Sequence, residues 1–474
     1  MSRSRTSRPR TWGAQGWIRA GVLAAGTGAV VLAAQAAPVH PPKAAAPTAR
    51  AAAMPVDAAS LVCPGGEGKD AATLALASAP MQLSSMLGGG GQLQVNEAGH
   101  SSAVTLARGH SMTRTWKNGP LDVVARGASA PGITATQFHE ANGAVSAQAC
   151  TQATAEAWIP VGDKQPGRLL TVTLVNPGAR AVSVDVDVRA ADGALDSAAI
   201  ADKAVPAHGR VSVNIPADAL AHAAAVVHVR SEDGAVVASV RDRVGETERK
   251  GDDVVAQYAP PAPVQEMPGV PVVDRSVRVR LAAPGSRAAV VRLQASGKDA
   301  GDVSERVVTV PVGRSLDVTL DGIDDDVAAV RASSQENIIA SAFASSASKK
   351  SRDFTWVPAA PALDAAAGAS LDGARHAGRL VVMGEGRATS VTLVVSDPSG
   401  KATRRRLDVP ANGWASVEVP KNATVWLLRD DGSADAAPVH AAVLVRDAGA
   451  DQPVTSVPLV PTPWLRAPVE VTQR

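Results

Sequence analysis

One phrase, used three times, most constrains what this chain can fold into. "AVPAHGRVSVNIP" runs from Ala204 to Pro216, "VTVPVGRSLDVTL" from Val308 to Leu320, and "LDVPANGWASVEVP" from Leu407 to Pro420. Each reads as a strand end, a tight polar turn and a new strand. Each also follows a hairpin of alternating residues. In "TVTLVNPGARAVSVDVDV" Val172, Leu174, Val182, Val184, Val186 and Val188 alternate with Thr, Ser and Asp around the turn Asn176-Pro177-Gly178. Period-2 alternation about a Pro-Gly turn is the pattern of a half-buried antiparallel hairpin. Equivalent hairpins turn at Pro284-Gly285 and near Gly384-Glu385-Gly386, and a further strand pair follows each phrase.

The joints repeat as well. Trp158-Ile159-Pro160, Tyr258-Ala259-Pro260, Trp356-Val357-Pro358 and Ser456-Val457-Pro458 recur at a period of about 100 residues, and self-similarity at a fixed period marks tandem units. About seven short strands in such a unit is the size of an immunoglobulin-like sandwich. The Pro ahead of each phrase cannot donate to a ladder and suits a strand edge, and Gly209, Gly313 and Gly413 are expected to supply positive φ in the turns. The expected fold is all-β: tandem immunoglobulin-like β-sandwich domains behind an N-terminal signal or anchor segment. A propeller is the alternative, but four units of this length would make blades about twice the usual size.

The predicted organisation is a basic stretch 1–19, a signal peptide or single transmembrane anchor 20–37, a Pro/Ala linker 38–57, a divergent first β domain 58–157, and β-sandwich repeats 158–257, 258–355 and 356–474, the last with a C-terminal tail. Arg3, Arg5, Arg8, Arg10 and Arg19 precede "AGVLAAGTGAVVLAAQAAPV", which holds the triplet Ala34-Gln35-Ala36. Those are the parts of a secretory signal, and the apolar run is also long enough to span a bilayer if uncleaved. Either outcome places the bulk of the chain outside the cytoplasm, secreted or anchored to the plasma membrane.

Lys+Arg 47 and Asp+Glu 45 nearly balance, leaving +2, and much of the Arg excess lies in the first 20 residues. A nucleic-acid partner, which needs a clustered basic face, is therefore not expected. Aromatics are only 3%, so the cores must be built mostly from Val, Ala and Leu. Cys63 and Cys150 are the two cysteines. In an exported chain they are expected to pair, closing a long loop worth about 4 kcal/mol in the chain-entropy model; two separate buried thiols are the alternative.

On the stretches "LVCPGG", "ACTQATAEAWIPVGD" (Ala149 to Asp163) and "LLTVTLVNPGARAVSVDVDVRAADG" (Leu169 to Gly193), the chain resembles a family of uncharacterised exported proteins of actinobacteria, a domain of unknown function. The resemblance implies secreted or membrane-anchored β-rich proteins whose genes often lie near envelope glycosyltransferases. It lends no active site. Where relatives tend to carry a "WWF"-like run, this chain keeps only Trp158.

Catalytic constellations are not recognisable. His100, His110 and His139 fall in the first domain without a zinc-ligand spacing and are expected to be solvated loop residues, and no Ser sits in G-x-S-x-G. Asp185 and Asp187 alternate with Val on a strand and read as solvated; Asp324-Asp325-Asp326 could hold Ca²⁺ in an inter-domain loop. No metal or cofactor is expected. Trp116, Trp158, Trp356 and Trp464 read as packing residues. Trp414 and Trp426 are the candidates for ligand contact, with Arg404, Arg405 and Arg406, which otherwise form a solvated strand edge.

The leading functional expectation is a non-enzymatic envelope protein, a structural or scaffolding rod of sandwiches in contact with envelope proteins or cell-wall glycan. A carbohydrate-binding accessory of polysaccharide assembly is the alternative. An unrecognised enzyme, resting on the His-bearing first domain, is the third.

Overall fold

The computed structural model describes residues 54–466, except 67–70, 84–89, 98–99, 118, 142–143, 164, 196–197, 217–222, 246–250, 298–302, 346–352, 364, 430–436 and 447–453. The signal or anchor stretch and the basic stretch before it lie outside the described residues. Among the described residues no helix is long and apolar enough to cross a membrane. The elements are strands, with one short 3-10 turn at Gly127–Ser129.

The strands build four two-sheet sandwiches of one design. In the first, the order Ala58–Cys63, Leu121–Arg126, Gly91–Glu97, His100–Leu106 faces the order Ser111–Trp116, Ala72–Ser78, Ile133–Ala141, Ala144–Ala149. Residues 58–149 thus share the strand order of the regular copies despite lacking their turn phrase. The fourth repeats it with Ala366–Ser370, Thr424–Arg429, Thr389–Ser396 and Ala402–Val409 against Trp414–Val419, Gly378–Gly384, Val439–Val445 and Thr455–Pro458. In the third, the 19-residue strand Val327–Ser345 serves both sheets, its first half pairing with Ala289–Ser296 and its second with Ser276–Ala282.

Alternation decides what goes inside. In the second sandwich Val172, Leu174, Val184, Val186 and Val188 are buried together, each burial worth about 1.5–3 kcal/mol. Small side chains suffice because two sheets pack only about 10 Å apart. The disulfide Cys63–Cys150 forms within the first core, with Cα atoms 4.7 Å apart.

The recurring phrase makes the same turn each time. Gly209 N–H donates to Pro206 O (3.1 Å), Arg314 N–H to Pro311 O (3.2 Å) and Gly413 N–H to Pro410 O (3.2 Å). The third residue of each turn carries the positive φ: His208 (51°), Gly313 (64°) and Asn412 (51°). Gly313 therefore acts as expected, whereas Gly209 and Gly413 do a different job. A Cβ at Gly209 would lie 2.6 Å from Pro206 Cγ, and one at Gly413 would lie 2.9 Å from Pro410 Cβ. These glycines are needed so that the turn can close over the proline ring.

The sandwiches do not string out as a rod. Their closing strands, Ala144–Ala149, Gly251–Ala256, Phe354–Pro358 and Thr455–Pro458, are wholly buried; consecutive ones lie beside each other, and the fourth lies beside the first. The result is a cycle of four sandwiches within one compact unit, Met54–Ala467. Phe138, Ala147 and Ala149 of the first sandwich pack into the core of the fourth, and Phe354 and Trp356 from the third into that of the second. A two-residue ladder, Met54↔Arg466 and Pro55↔Leu465, joins the two ends of the unit.

Polar clamps fix the junctions. Arg280, almost fully buried, donates to both oxygens of Asp163 (2.9 and 3.0 Å), to Asp317 (2.7 and 2.8 Å) and to the carbonyls of Ala225 (2.9 Å) and Val161, binding the third sandwich to the second. Asp326 pairs with Arg379 and Arg446 between the third sandwich and the fourth, so this acidic stretch serves as a brace.

Candidate functional site

A groove of about 510 Å³ lies where the third sandwich meets the fourth. Its floor is the outer face of a sheet. Arg292, Gln294 and Ser296 project from Ala289–Ser296, Arg331 and Ser333 from the long strand beside it, and Val264 and Val303 from the flanking strands. Period 2 places these side chains on one face while Val291, Leu293 and Ala295 enter the core. Met383, near the end of the strand Gly378–Gly384, and Glu385, Gly386 and Asn412, from two turns of the fourth sandwich, form the wall.

The polar groups are held in place by one another. Arg292 Nη2 and Gln294 Nε2 donate to the same oxygen of Glu305 (2.8 and 3.1 Å). Arg331 pairs through Nε with buried Glu266, and its outer nitrogens donate to Asn412 Oδ1 (2.6 Å) and Gly384 O (2.9 Å) across the junction. Burial pushes the Glu266 carboxyl up to about 7, with Arg331 pulling the other way. Glu385 is held below the usual carboxylate range by the facing His440. Each arginine thus has its carboxylate partner, and the groove offers planar amide, guanidinium and hydroxyl groups without a strong net charge. Such a surface suits an uncharged, polyhydroxylated ligand better than a phosphate or a nucleic acid.

Trp414 stands at the end of this region, and its placement differs from the expectation of an exposed platform. It is half-buried against Val327, Val381, Leu444 and Val454, and its Nε1 donates to Ser296 O (3.2 Å) and Gly297 O (3.0 Å). The ring joins the fourth sandwich to the third beside the groove. Trp426 is fully buried among Ala77, Ala79, Leu83, Val394 and Trp464, so it offers no ring to a ligand. Arg404, Arg405 and Arg406 are exposed on the edge strand Ala402–Val409, far from forming a pocket; Arg404 donates to Thr392 and Arg406 to Asp408.

Two further readings change. His139 is buried in a strand, 2.7 Å from Gln137, and is not a solvated loop residue. Asp187 is not simply solvated either: it receives Arg189 and lies 3.0 Å from His228, whose other nitrogen faces Glu156 at 2.9 Å while the ring stacks on Trp158 at 3.9 Å. Burial alone would raise the Asp187 carboxyl, yet the bonds from His228 and Arg189 hold it below its ordinary value. Among the described residues no group of three or more His, Cys, Asp or Glu is placed to hold a metal ion.

The centre of the cycle is also polar. Asp353 accepts backbone N–H groups from Val145 (3.3 Å), Asp252 (3.3 Å) and Val454 (3.2 Å), one from each of the other three sandwiches. Asp253 accepts from Trp356 N–H (2.7 Å) and from the hydroxyls of Thr355 and Thr455. Burial pushes Asp353 up to about 7 and raises Asp253 well above the usual range. These groups are enclosed and already satisfied by chain donors, so they serve assembly and not a substrate.

The model of a family of unknown function, DUF5719, matches residues 110–420, well over half of the chain. The chain belongs to this family. The DUF5719 match starts inside the first sandwich and ends in the fourth, and it includes every residue lining the groove. No curated protein matches the chain. Among solved structures it is similar to a tetra-tandem repeat from the extending region of a large adhesion protein, at 13% identity over 85% of this chain and 100% of that one, with a TM-score of 0.14. At that score the likeness carries no argument about fold or function.

Sequence reasoning missed Arg292, Gln294, Arg331 and Asn412. The alternation of Arg292 and Gln294 with Val and Leu marks an outward face, but their gathering into a groove depends on the docking of the fourth sandwich, which has no local signal.

Proposed function

We propose that this chain is a non-enzymatic protein of the cell envelope, acting outside the cytoplasm as a rigid binding platform in contact with envelope partners. The observation that carries this reading is the closed cycle. Four sandwiches share buried closing strands and internal ion pairs, an arrangement suited to presenting fixed surfaces. The disulfide fits an oxidising compartment, and the basic and apolar N-terminal residues fit export or anchoring. The test is crosslinking in intact cells with a reagent that cannot cross the membrane, followed by mass spectrometry. Labelled chain joined to envelope components supports the reading; a chain protected from the reagent until lysis would sink it.

A second reading is favoured by the groove: recognition of a neutral glycan in envelope polysaccharide assembly. Arg292, Gln294 and Asn412 line the groove with guanidinium and amide groups, the kind of side chain that hydrogen-bonds sugar hydroxyls. Co-sedimentation of the full chain with cell-wall polysaccharide, lost at least tenfold in Gln294→Ala, supports it. Undiminished retention by that variant removes the groove from consideration.

A further inference from the structure

The third sandwich carries an edge unlike those of its sisters. Among the described residues its outermost strand, Val303–Val310, pairs on one side only, with Ala289–Ser296. A strand edge left open in this way templates further pairing, and proteins normally blunt it by shortness or charge. The corresponding edges are blunted. In the second sandwich the edge is broken into three-residue pieces, Gly193–Leu195 and Lys203–Val205; in the fourth it carries Arg404, Arg405 and Arg406. In the first, His100–Leu106 turns Ser101, Ala103 and Thr105 to solvent. The third exposes valines. Val303, Val307, the neighbouring Val290 and the following Val312 are four of the six large hydrophobic residues exposed among the described residues.

We propose that Val303–Val310 joins two copies of this chain as an antiparallel strand pair, extending the sheet that floors the groove across both. The sequence of the strand chooses this occupant. Antiparallel pairing of a strand with its own copy is isologous, each residue meeting its mirror position about one central residue. Centred on Val307, the pairing sets Val307 against its own copy, Arg306 against Val308, Glu305 against Thr309 and Ser304 against Val310. No like charges then face each other, and Glu305 keeps its ion pair with Arg292 on the neighbouring strand. Centring one residue earlier opposes Arg306 to itself and two earlier opposes Glu305 to itself, both unfavourable. Pro311 cannot donate to the ladder and stops the register from sliding the other way. On the outer face Val307 then meets its own copy and Val303 lies opposite Pro311, which reduces the apolar edge left to water.

The pairing predicts a distance that can be tested. Residues directly opposite in an antiparallel pair have Cα atoms about 4.5–5.5 Å apart, within disulfide reach. The chain has no free cysteine to interfere. Purified full-length Val307→Cys is therefore expected to convert to a disulfide-linked dimer under mild oxidation, at least tenfold faster than Val290→Cys, which lies one strand further in. Sedimentation is expected to show a dimer for the unmodified chain and a monomer for Val307→Arg, an exposed change that leaves the Cys63–Cys150 bridge and the far-ultraviolet circular dichroism intact. A chain that stays monomeric at high micromolar concentration, with no preferred linkage at position 307, overturns the proposal. So does a Val307→Cys chain that, in its own cells, links to a different protein and not to itself.

Discussion

The carboxylate of Asp353 accepts a hydrogen bond from the backbone N–H of Val145, 208 residues earlier in the chain. The same side chain takes N–H groups from Asp252 and Val454, so one residue of the third sandwich is tied to each of the other three. Asp353→Ala would leave three buried donors without an acceptor, each costing about 1–3 kcal/mol. Unfolding in urea is expected to show a loss of at least ~2 kcal/mol. A loss below ~0.5 kcal/mol would mean that the centre is held by apolar packing alone.

The raised carboxyls set a pH dependence with a definite sign. Asp353 and Glu266 titrate at about 7 in the fold because burial disfavours their charged forms, against an ordinary value near 4 in the unfolded chain. The folded state therefore holds protons that the unfolded state has lost. The stability from this source is complete below about pH 4 and disappears as pH rises through about 7. Asp187, shifted the other way, stabilises above the ordinary carboxyl range and is lost only in stronger acid. The urea midpoint is expected to fall between pH 5 and pH 8, and Glu266→Gln to make that fall shallower. A midpoint that rises over the window contradicts the assignment.

Arg280 is the most heavily bonded side chain at a junction, with two carboxylates and two carbonyls around one buried guanidinium. Lysine has the charge but not the planar fork. Arg280→Lys is expected to cost about 2–4 kcal/mol, near the range for breaking a buried pair. Limited proteolysis provides the local check: cleavage is expected to increase near Asp163 and Asp317 before it does elsewhere.

In the recurring turns, His208 holds a left-handed backbone that suits glycine, at a cost of about 1 kcal/mol. His208→Gly is expected to raise the unfolding free energy by up to about 1 kcal/mol, and Gly209→Ala to lower it, because the added methyl meets the Pro206 ring. Thermal unfolding of the pair distinguishes the two roles. Equal effects in the same direction would contradict the division.

The sandwiches were legible because alternation and turn chemistry are local, and because the phrase at Ala204, Val308 and Leu407 recurs in register. The cycle was not. A propeller-like closure was set aside on unit size, yet four two-sheet units do close around their last strands. The packing that closes it brings residues such as Ala147 and Val443, or Ala77 and Trp426, into one core although they are hundreds of positions apart and mostly small side chains common throughout the chain. Trp426 shows the difficulty in one residue. It lies opposite Gly368 on the outer face of its own sheet, where a Cβ on the glycine would come within 2.6 Å of the indole. In an isolated sandwich that face would be wet; the first sandwich covers it. The disulfide, by contrast, was readable from the cysteine count together with the expectation of export, since two cysteines leave few alternatives.

The ladder between Met54–Pro55 and Leu465–Arg466 has a mechanical consequence. A pull applied to the flanking segments enters and leaves the folded body at adjacent points, so tension is borne by a two-residue latch and bypasses the four cores. In a row of sandwiches loaded end to end, every unit would share the force. Here the load would meet at one point, and the surfaces of the body would keep their shape for as long as that latch held.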